Sequence, residues 1–501
     1  MFRRIIFSKV PITVLLIILQ VVWFFAFFTK LSAHAAWIQG LFTLLGLLMY
    51  LFIISSDENP SYQIAWITVI AVLPILGGFL YLILGNKRPA KRMKRAMQRS
   101  MDELRPHLDQ VPPVTAPPSR MAGVSAYIRH YGPYPAYEGT DLDYFSSGED
   151  LFEEMMTAIE RAERFIFFEY FIVSEGEMYR RMAEVLTAKA RAGLDVRVMY
   201  DGFGCITTIP RHFERDLKAA GVQVVSFNPL IPLATLKMNH RDHRKLLIVD
   251  GHIGFTGGIN IADEYINRIS RFGYWKDTGV RLSGPAVWSM TLMFLHLWHY
   301  YRPSDEDVHL FAPTTSHEAS DGLVQPFSDT PLDGEALAKN IYMDILWRAE
   351  KYVTIMNPYW VPDNEMMKAL TMAAKRGVQV TIIVPGINDS KSVALLAEGY
   401  YKKLLEAGVH IHAFTPGFVH AKSMVSDDCI AVVGTVNMDF RSLYLHFEDG
   451  VLFTSESAVA ALKRDGEETL KQCRPLKISD LRQGVVLNLI RAMLRIFSPL
   501  L

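Results

Sequence analysis

The chain has 501 residues, room for several domains of roughly 100–200 residues each. Lysine plus arginine and aspartate plus glutamate both total 52, so no overall charge points to nucleic acid. Hydrophobic residues make up 50%, high for a soluble enzyme, and Cys205, Cys429 and Cys473 lack the CxxC spacing of a zinc site or disulfide framework, which fits a reducing compartment.

The hydrophobicity is concentrated in residues 1–105, which read as a membrane anchor with a basic flank. Runs 12–28, 37–54 and 64–84 each approach the roughly 20 residues needed to cross a bilayer. Trp23, Trp37, Trp66 and Tyr81 are suited to its interfaces. Three buried core helices are the rival reading. The first run also resembles a signal peptide, with Arg3, Arg4 and Lys9 before it and Ala33-His34-Ala35 as a cleavage-like site, although it is long for such a core. Seven basic residues lie between positions 87 and 99. The positive-inside rule wants both these and the N-terminal cations in the cytoplasm, which three full spans cannot satisfy. The larger cluster places everything after residue 86 in the cytoplasm; the N-terminus then faces out, or one run dips in without crossing.

Residues 106–121 are proline-rich and read as a linker. At the far end, 485–501 is apolar over most of a helix with Arg491 and Arg495 four apart, which fits either a core helix or one lying on a membrane.

Between these segments the chain is written twice. RAERFIFFEYFIV (161–173) returns as RAEKYVTIMNPYWV (348–361), LTAKARAGLDVRVMY (186–200) as LTMAAKRGVQVTIIV (370–384), and LKAAGVQVVSF (217–227) as LLEAGVHIHAF (404–414). Each copy alternates helix and strand, which predicts α/β lobes over 122–312 and 320–480, each with a largely parallel sheet, related as a pseudo-dimer. HRKLLIVDGHIGFTGGIN (243–260) likewise pairs with HAKSMVSDDCIAVVGTVN (420–437), both reading H-x-K-x4-D-x6-G-[GT]-x-N.

On a strand, residues two apart share a face, so His243 and Lys245 point together, as do His420 and Lys422. Asp250 and Asp427, seven residues on, face away and read as hydrogen-bonding struts. Asn260 and Asn437, after glycine turns, can swing amide donors back toward the same point. Two copies face to face give a pocket of two His, two Lys and two Asn, suited to an anion with several oxygens, above all phosphate. With both ammoniums cationic, one neutral histidine as nucleophile and one protonated as acid can open a phosphodiester and close it onto another alcohol. No carboxylate or Cys/His cluster offers metal-ligand spacing, so neither metal nor cofactor is expected. Asp277 in YWKDTGVRLSGPAV and Glu448 in HFEDGVLF are the candidates to orient the histidines.

The duplicated motif resembles the phospholipase D superfamily. The phrases NHRDHRKLLIVDG, GFTGGINIADEYIN, YWKDTGVRLSGPAV, NPYWVPD, PGFVHAKSMVSDD and the terminal SPLL resemble bacterial cardiolipin synthases. That resemblance implies two phospholipase D-like lobes behind N-terminal transmembrane helices, in a multi-pass protein of a bacterial plasma membrane. It implies transfer of a phosphatidyl group between two phosphatidylglycerol molecules, releasing glycerol. It places His243, Lys245, Asp250, His420, Lys422 and Asp427 in the catalytic set, with His243 as nucleophile. Partners are then membrane lipids, with no nucleic acid and no obligatory protein. Such enzymes carry two spans, whereas three apolar runs stand here. The DGxxAR signature of CDP-alcohol phosphotransferases is absent. A phospholipase D, a phosphatidylserine synthase, a tethered phosphodiesterase or nuclease, and a non-enzymatic scaffold remain as rivals.

Overall fold

The computed structural model describes residues 22, 35–56, 58–85, 91–112, 114, 117–229, 240–313 and 321–498. The chain divides into two compact units, 1–92 with 230–239 and 488–501, and 93–229 with 240–487.

In the first unit, run 12–28 lies outside the described residues apart from Val22. Run 37–54 falls in a helix, Ala35–Ile54. Run 64–84 is not one rod: helix Pro60–Val72 stops at Leu73 (φ −128°, ψ 73°), and a separate helix, Pro74–Leu80, follows. Pro74 explains the break, since proline donates no N–H and pushes its predecessor out of the helical region. Gly77 lies so close to the preceding helix that a Cβ there would meet Val69 O at 2.6 Å. Ile53, Tyr62, Trp66, Ile70 and Tyr81 form a small core. Among the residues whose side chains are described, no helix is long and apolar enough to cross a membrane, so the expected spans are not found there.

In the second unit the first half contributes β1 (Asp141–Phe145), β2 (Phe165–Tyr170), β3 (Asp195–Asp201), β4 (Gln223–Phe227), β5 (Arg241–Asp242), β6 (Lys245–Val249), β7 (Ile253–Gly257), β8 (Tyr274–Lys276) and β9 (Gly279–Ser283). Seven of these make a sheet in the order β1-β9-β7-β6-β2-β3-β4. Only β2, β3 and β4 run parallel; every other pairing in this sheet is antiparallel. The expectation of a largely parallel sheet is therefore corrected. Helical crossovers join β2, β3 and β4, but the motif strand β6 turns into β7 through a short link with left-handed backbone at Asp250 (φ 54°) and Gly251 (φ 79°). A connection that short permits only antiparallel pairing.

The second half repeats the plan with β10 (Val324–Asp329), β11 (Tyr352–Met356), β12 (Gln379–Pro385), β13 (His410–Phe414), β14 (Gly417–Val419), β15 (Ser423–Ser426), β16 (Ile430–Gly434), β17 (His446–Phe453) and β18 (Cys473–Pro475). Its main order is β10-β17-β16-β15-β11-β12-β13-β18, parallel only across β11, β12 and β13. Two further pairings tie the halves together. β5 runs parallel to β17 with Arg241 opposite His446, and β14 runs parallel to β8 with Phe418 opposite Trp275.

β2 (FIFFEY) and β6 (KLLIV) are buried at every position, the continuous rather than alternating pattern of strands covered on both faces. Helix Val287–Tyr301 packs on β2, β6 and β7 of one sheet and on β10 of the other, and its residues Val287 to His299 are all buried. The expected linker is in part docked on this unit: Leu108 is buried, and Trp288 Nε1 donates to His107 O at 2.7 Å. The C-terminal helix Val485–Phe497 has no buried residue.

Candidate active site

His243 lies in the short link between β5 and β6, and Lys245 opens β6; His420 and Lys422 lie in the link between β14 and β15. The histidines thus sit just ahead of the strands rather than on them. Each pair still shares a face, with Lys245 Nζ donating to His243 O (2.6 Å) and Lys422 Nζ to His420 O (2.5 Å). Each link is laid on a strand of the opposite half. His243 N donates to Phe447 O at 2.9 Å, and His420 N to Lys276 O at 2.7 Å.

The orienting carboxylates follow the same exchange. His243 Nδ1 lies 2.9 Å from Glu448 Oε2, and His420 Nδ1 lies 2.7 Å from Asp277 Oδ2. Both carboxylates are fully buried. A carboxylate can only accept here, so each imidazole holds its proton on Nδ1 and has its lone pair on Nε2, which on His420 accepts from Lys422 Nζ at 2.9 Å. Glu448 Oε2 also accepts from Thr435 Oγ1 at 2.5 Å. At the matching place in the first half stands Gly258, where a Cβ would meet Asp277 Oδ1 at 1.8 Å, so the close approach of Asp277 requires glycine.

Burial pushes the His243 imidazole down to about 3, Glu448 opposing and Lys245 reinforcing. Burial, joined by Lys422 and opposed by Asp277, pushes His420 down to about 4. Burial also works against ionisation of Glu448 and Asp277, but His243 and His420 respectively hold the two carboxyls below the usual carboxylate range. The same desolvation brings Lys245 down to about 8 and Lys422 to about 7. The expectation that both ammoniums simply stay cationic is corrected accordingly: Lys422 sits near its midpoint at neutral pH, and an arriving anion favours its charged form.

Asp250 and Asp427 stand outside this pocket. Asp250 accepts from the backbone N–H of Glu163, Arg164 and Phe165 at 2.7–2.9 Å. Asp427 does the same for Glu350, Lys351 and Tyr352 at 2.8–2.9 Å. Both pin the turn before a parallel strand, the strut role read from their spacing rather than a chemical one. Asn260 is also engaged structurally, accepting from Ile172 N (3.1 Å) and donating to Tyr265 Oη (2.7 Å). Asn437 Oδ1 is buried without a hydrogen-bond partner among the described residues.

The structure adds residues that the sequence reading missed. Arg244, wholly buried behind the motif, pairs with Glu169 at 2.5 Å and Asp242 at 3.3 Å. Asp449 accepts from Thr256 Oγ1 at 2.5 Å and from Lys245 N at 3.3 Å, bridging the halves. The glutamate within apolar FIFFEY was the available signal, because a charge in a buried strand requires a partner. His446 lies beside His243, with ring centroids 5.5 Å apart. His243, His446 and Glu448 each offer a donor atom within 4.8 Å of the others, a group able to hold a metal ion. This corrects the expectation that no ligand cluster exists; Glu448 is 205 residues from His243, a proximity no linear spacing reveals.

Known proteins match this chain along most of its length. The family model described as "Cardiolipin synthase, PLD-like domain" matches residues 155–270 and 342–469. A second, "Phospholipase_D-nuclease N-terminal", matches 52–86. "Cardiolipin synthase 1" of Bacillus cereus is 31% identical over 98% of this chain and 100% of its own. "Cardiolipin synthase" of Geobacillus kaustophilus is 33% identical over 92% and 94%. An "Uncharacterized protein" of Streptococcus mutans is 41% identical over 90% and 99%. The crystal structure of phosphatidylserine synthase from Haemophilus influenzae superposes with a TM-score of 0.57 at 13% identity, covering 75% of this chain and 98% of that one, and so shares the fold.

Proposed function

The chain belongs to the cardiolipin synthase family of phospholipase D-like proteins, and from that membership we propose how its pocket works. It is a phosphatidyltransferase whose donor and acceptor, in this reading, are both phosphatidylglycerol. The observation that carries the reading is the exchanged pair of dyads, His243 with Glu448 and His420 with Asp277, each beside its own lysine.

His243 Nε2 attacks phosphorus of the first lipid. The bond from phosphorus to the glycerol oxygen breaks, and His420, protonated in the presence of the phosphodiester's charge, gives that oxygen its proton. Glycerol leaves and a phosphatidyl-histidine remains. A hydroxyl of a second phosphatidylglycerol then loses its proton to His420 and attacks phosphorus, and the bond to His243 breaks to yield cardiolipin. Lys245 and Lys422 stabilise charge on the non-bridging oxygens. Asp250 and Asp427 hold the scaffold. In this reading the two lysines, charged in the presence of the bound anion, supply the cationic charge that the step needs.

The protein associates with a membrane, a statement supported by its relatives and by the match over 52–86. Leu41, Leu44, Leu48, Leu51 and Phe52 of helix Ala35–Ile54 are exposed, an apolar surface that lipid would cover. The finer reading is a multi-pass anchor in a bacterial plasma membrane, with lobes 122–312 and 320–480 in the cytoplasm, supported by the basic residues between 87 and 99.

Purified protein incubated with phosphatidylglycerol alone tests the reaction. Cardiolipin and glycerol are expected, with or without EDTA. Phosphatidic acid as the only product makes water the acceptor and ends the synthase reading; loss of activity with EDTA ends the metal-free one.

A further inference from the structure

Position 446 is where the two halves of the pocket part company. The strand pairings make His446, opposite Arg241, the counterpart of Trp275, opposite Phe418. Trp275 Nε1 donates its proton to Asp277 Oδ2 at 3.4 Å, the oxygen that also holds His420. His446 stands in the same relation to Glu448, but its Nδ1 is 3.6 Å from Oε1, too far for a hydrogen bond. Among the described residues both ring nitrogens lack a hydrogen-bond partner although the residue is nine-tenths buried, and Glu448 Oε1 lacks one as well. Unpaired polar atoms are rare in folded interiors. Here they lie beside the imidazole to which phosphorus becomes bonded. His420 is walled by the rings of Tyr265, Trp275 and Phe418, whereas His243 meets Phe171 and His446.

We propose that His446 donates a hydrogen bond to a non-bridging oxygen of the phosphoryl group at His243, giving the pocket a third imidazole on one side only. This rests on the covalent reading above. An imidazole carries at least one N–H in both its neutral and its cationic form. Given to the phosphoryl oxygen, it stabilises the charge that builds as His243 Nε2 bonds to phosphorus. The pseudo-twofold arrangement gives each histidine its own lysine and its own carboxylate. The extra donor singles out His243 as the acceptor of the phosphoryl group, and the Trp275 indole, its N–H already spent on Asp277, makes no such offer to His420.

The test uses the full-length protein in detergent with bis(nitrophenyl) phosphate, following the burst of nitrophenol and mapping the phosphorylated residue. His446→Ala is expected to slow the burst about 100-fold, the usual loss for one such donor, with the melting temperature unchanged. His446→Asn, whose amide offers an N–H from a similar place, is expected to restore most of the rate. A burst in His446→Ala as fast as in the unsubstituted enzyme overturns the proposal. Equal losses in both variants together with lowered melting temperatures also overturn it, by making His446 a packing residue. An unsubstituted enzyme with no adduct on either histidine overturns the covalent reading itself, an outcome distinct from the other two.

Discussion

Glu448 Oε2 holds the Nδ1 proton of His243 at 2.9 Å from across the junction of the two halves, and Asp277 returns the arrangement for His420 at 2.7 Å. Each half therefore owns a histidine whose tautomer is set by the other.

Replacing those carboxylates by amides separates their duties. With phosphatidylglycerol, Glu448→Gln and Asp277→Asn are each expected to lose about 1000-fold or more in turnover, because an amide no longer enforces the Nδ1–H tautomer. With a nitrophenyl phosphodiester, which needs no acid to depart, Asp277→Asn is expected to keep its burst and Glu448→Gln to lose it. A preserved burst in Glu448→Gln reverses the partnership.

The histidines themselves are told apart by the same activated substrate. His420→Ala is expected to release nitrophenol in a burst and to accumulate a phosphorylated enzyme, since no base activates the acceptor. His243→Ala is expected to show neither. A stable adduct on residue 420 in the His243→Ala protein exchanges the assigned roles.

The lysines set the alkaline side of the pH profile. Burial brings Lys422 to about 7 and Lys245 to about 8, so both are cationic below those values and lose charge as pH rises through them. kcat/KM for phosphatidylglycerol is expected to fall across pH 7–8, with the limb on kcat displaced upward because the bound anion favours the ammoniums. Lys422→Arg, which stays charged, is expected to move that limb upward even if the rate is lower. A profile flat from about pH 6 to about 9.5, beyond both values, rules out the dependence.

Asp250→Ala is expected to destabilise the second unit by about 3 kcal/mol, because three backbone N–H groups lose a charged acceptor in one step. Thermal melting reads this loss. An unchanged melting temperature means that water replaces the carboxylate without cost.

Single cysteines placed in residues 106–112 report the side of the membrane. In intact cells an impermeant maleimide is expected to leave them unlabelled, and to label them after the envelope is opened. Labelling from outside places the lobes there instead.

The repeated text made much of this fold legible, since offsets between copies place matching helices and strands without knowledge of either partner. The motif's period-two spacing likewise separated His243 and Lys245 from Asp250. Sheet direction was not legible: helix–strand alternation in 161–227 dominates the pattern, whereas the antiparallel portion depends on a link of three residues after Val249. The third apolar run is divided at Leu73, which hydropathy could not foresee because it does not register what proline does to backbone geometry. His446 escaped notice because its importance comes from Glu448 and His243 converging in space, although aligning HFE (446–448) with WKD (275–277) would have set it against Trp275.

The exchanged carboxylates also bear on how such a chain diverges. Two identical subunits meeting on a twofold axis would have to carry every substitution twice, once on each side of the pocket. Joining the copies in one polypeptide keeps their ratio at one to one and lets each side change alone. Thr435 against Gly258, and His446 against Trp275, are places where that freedom has been used. Neither copy, separated from the other, would retain a histidine with a defined tautomer, so the division of labour is inherited only as a whole.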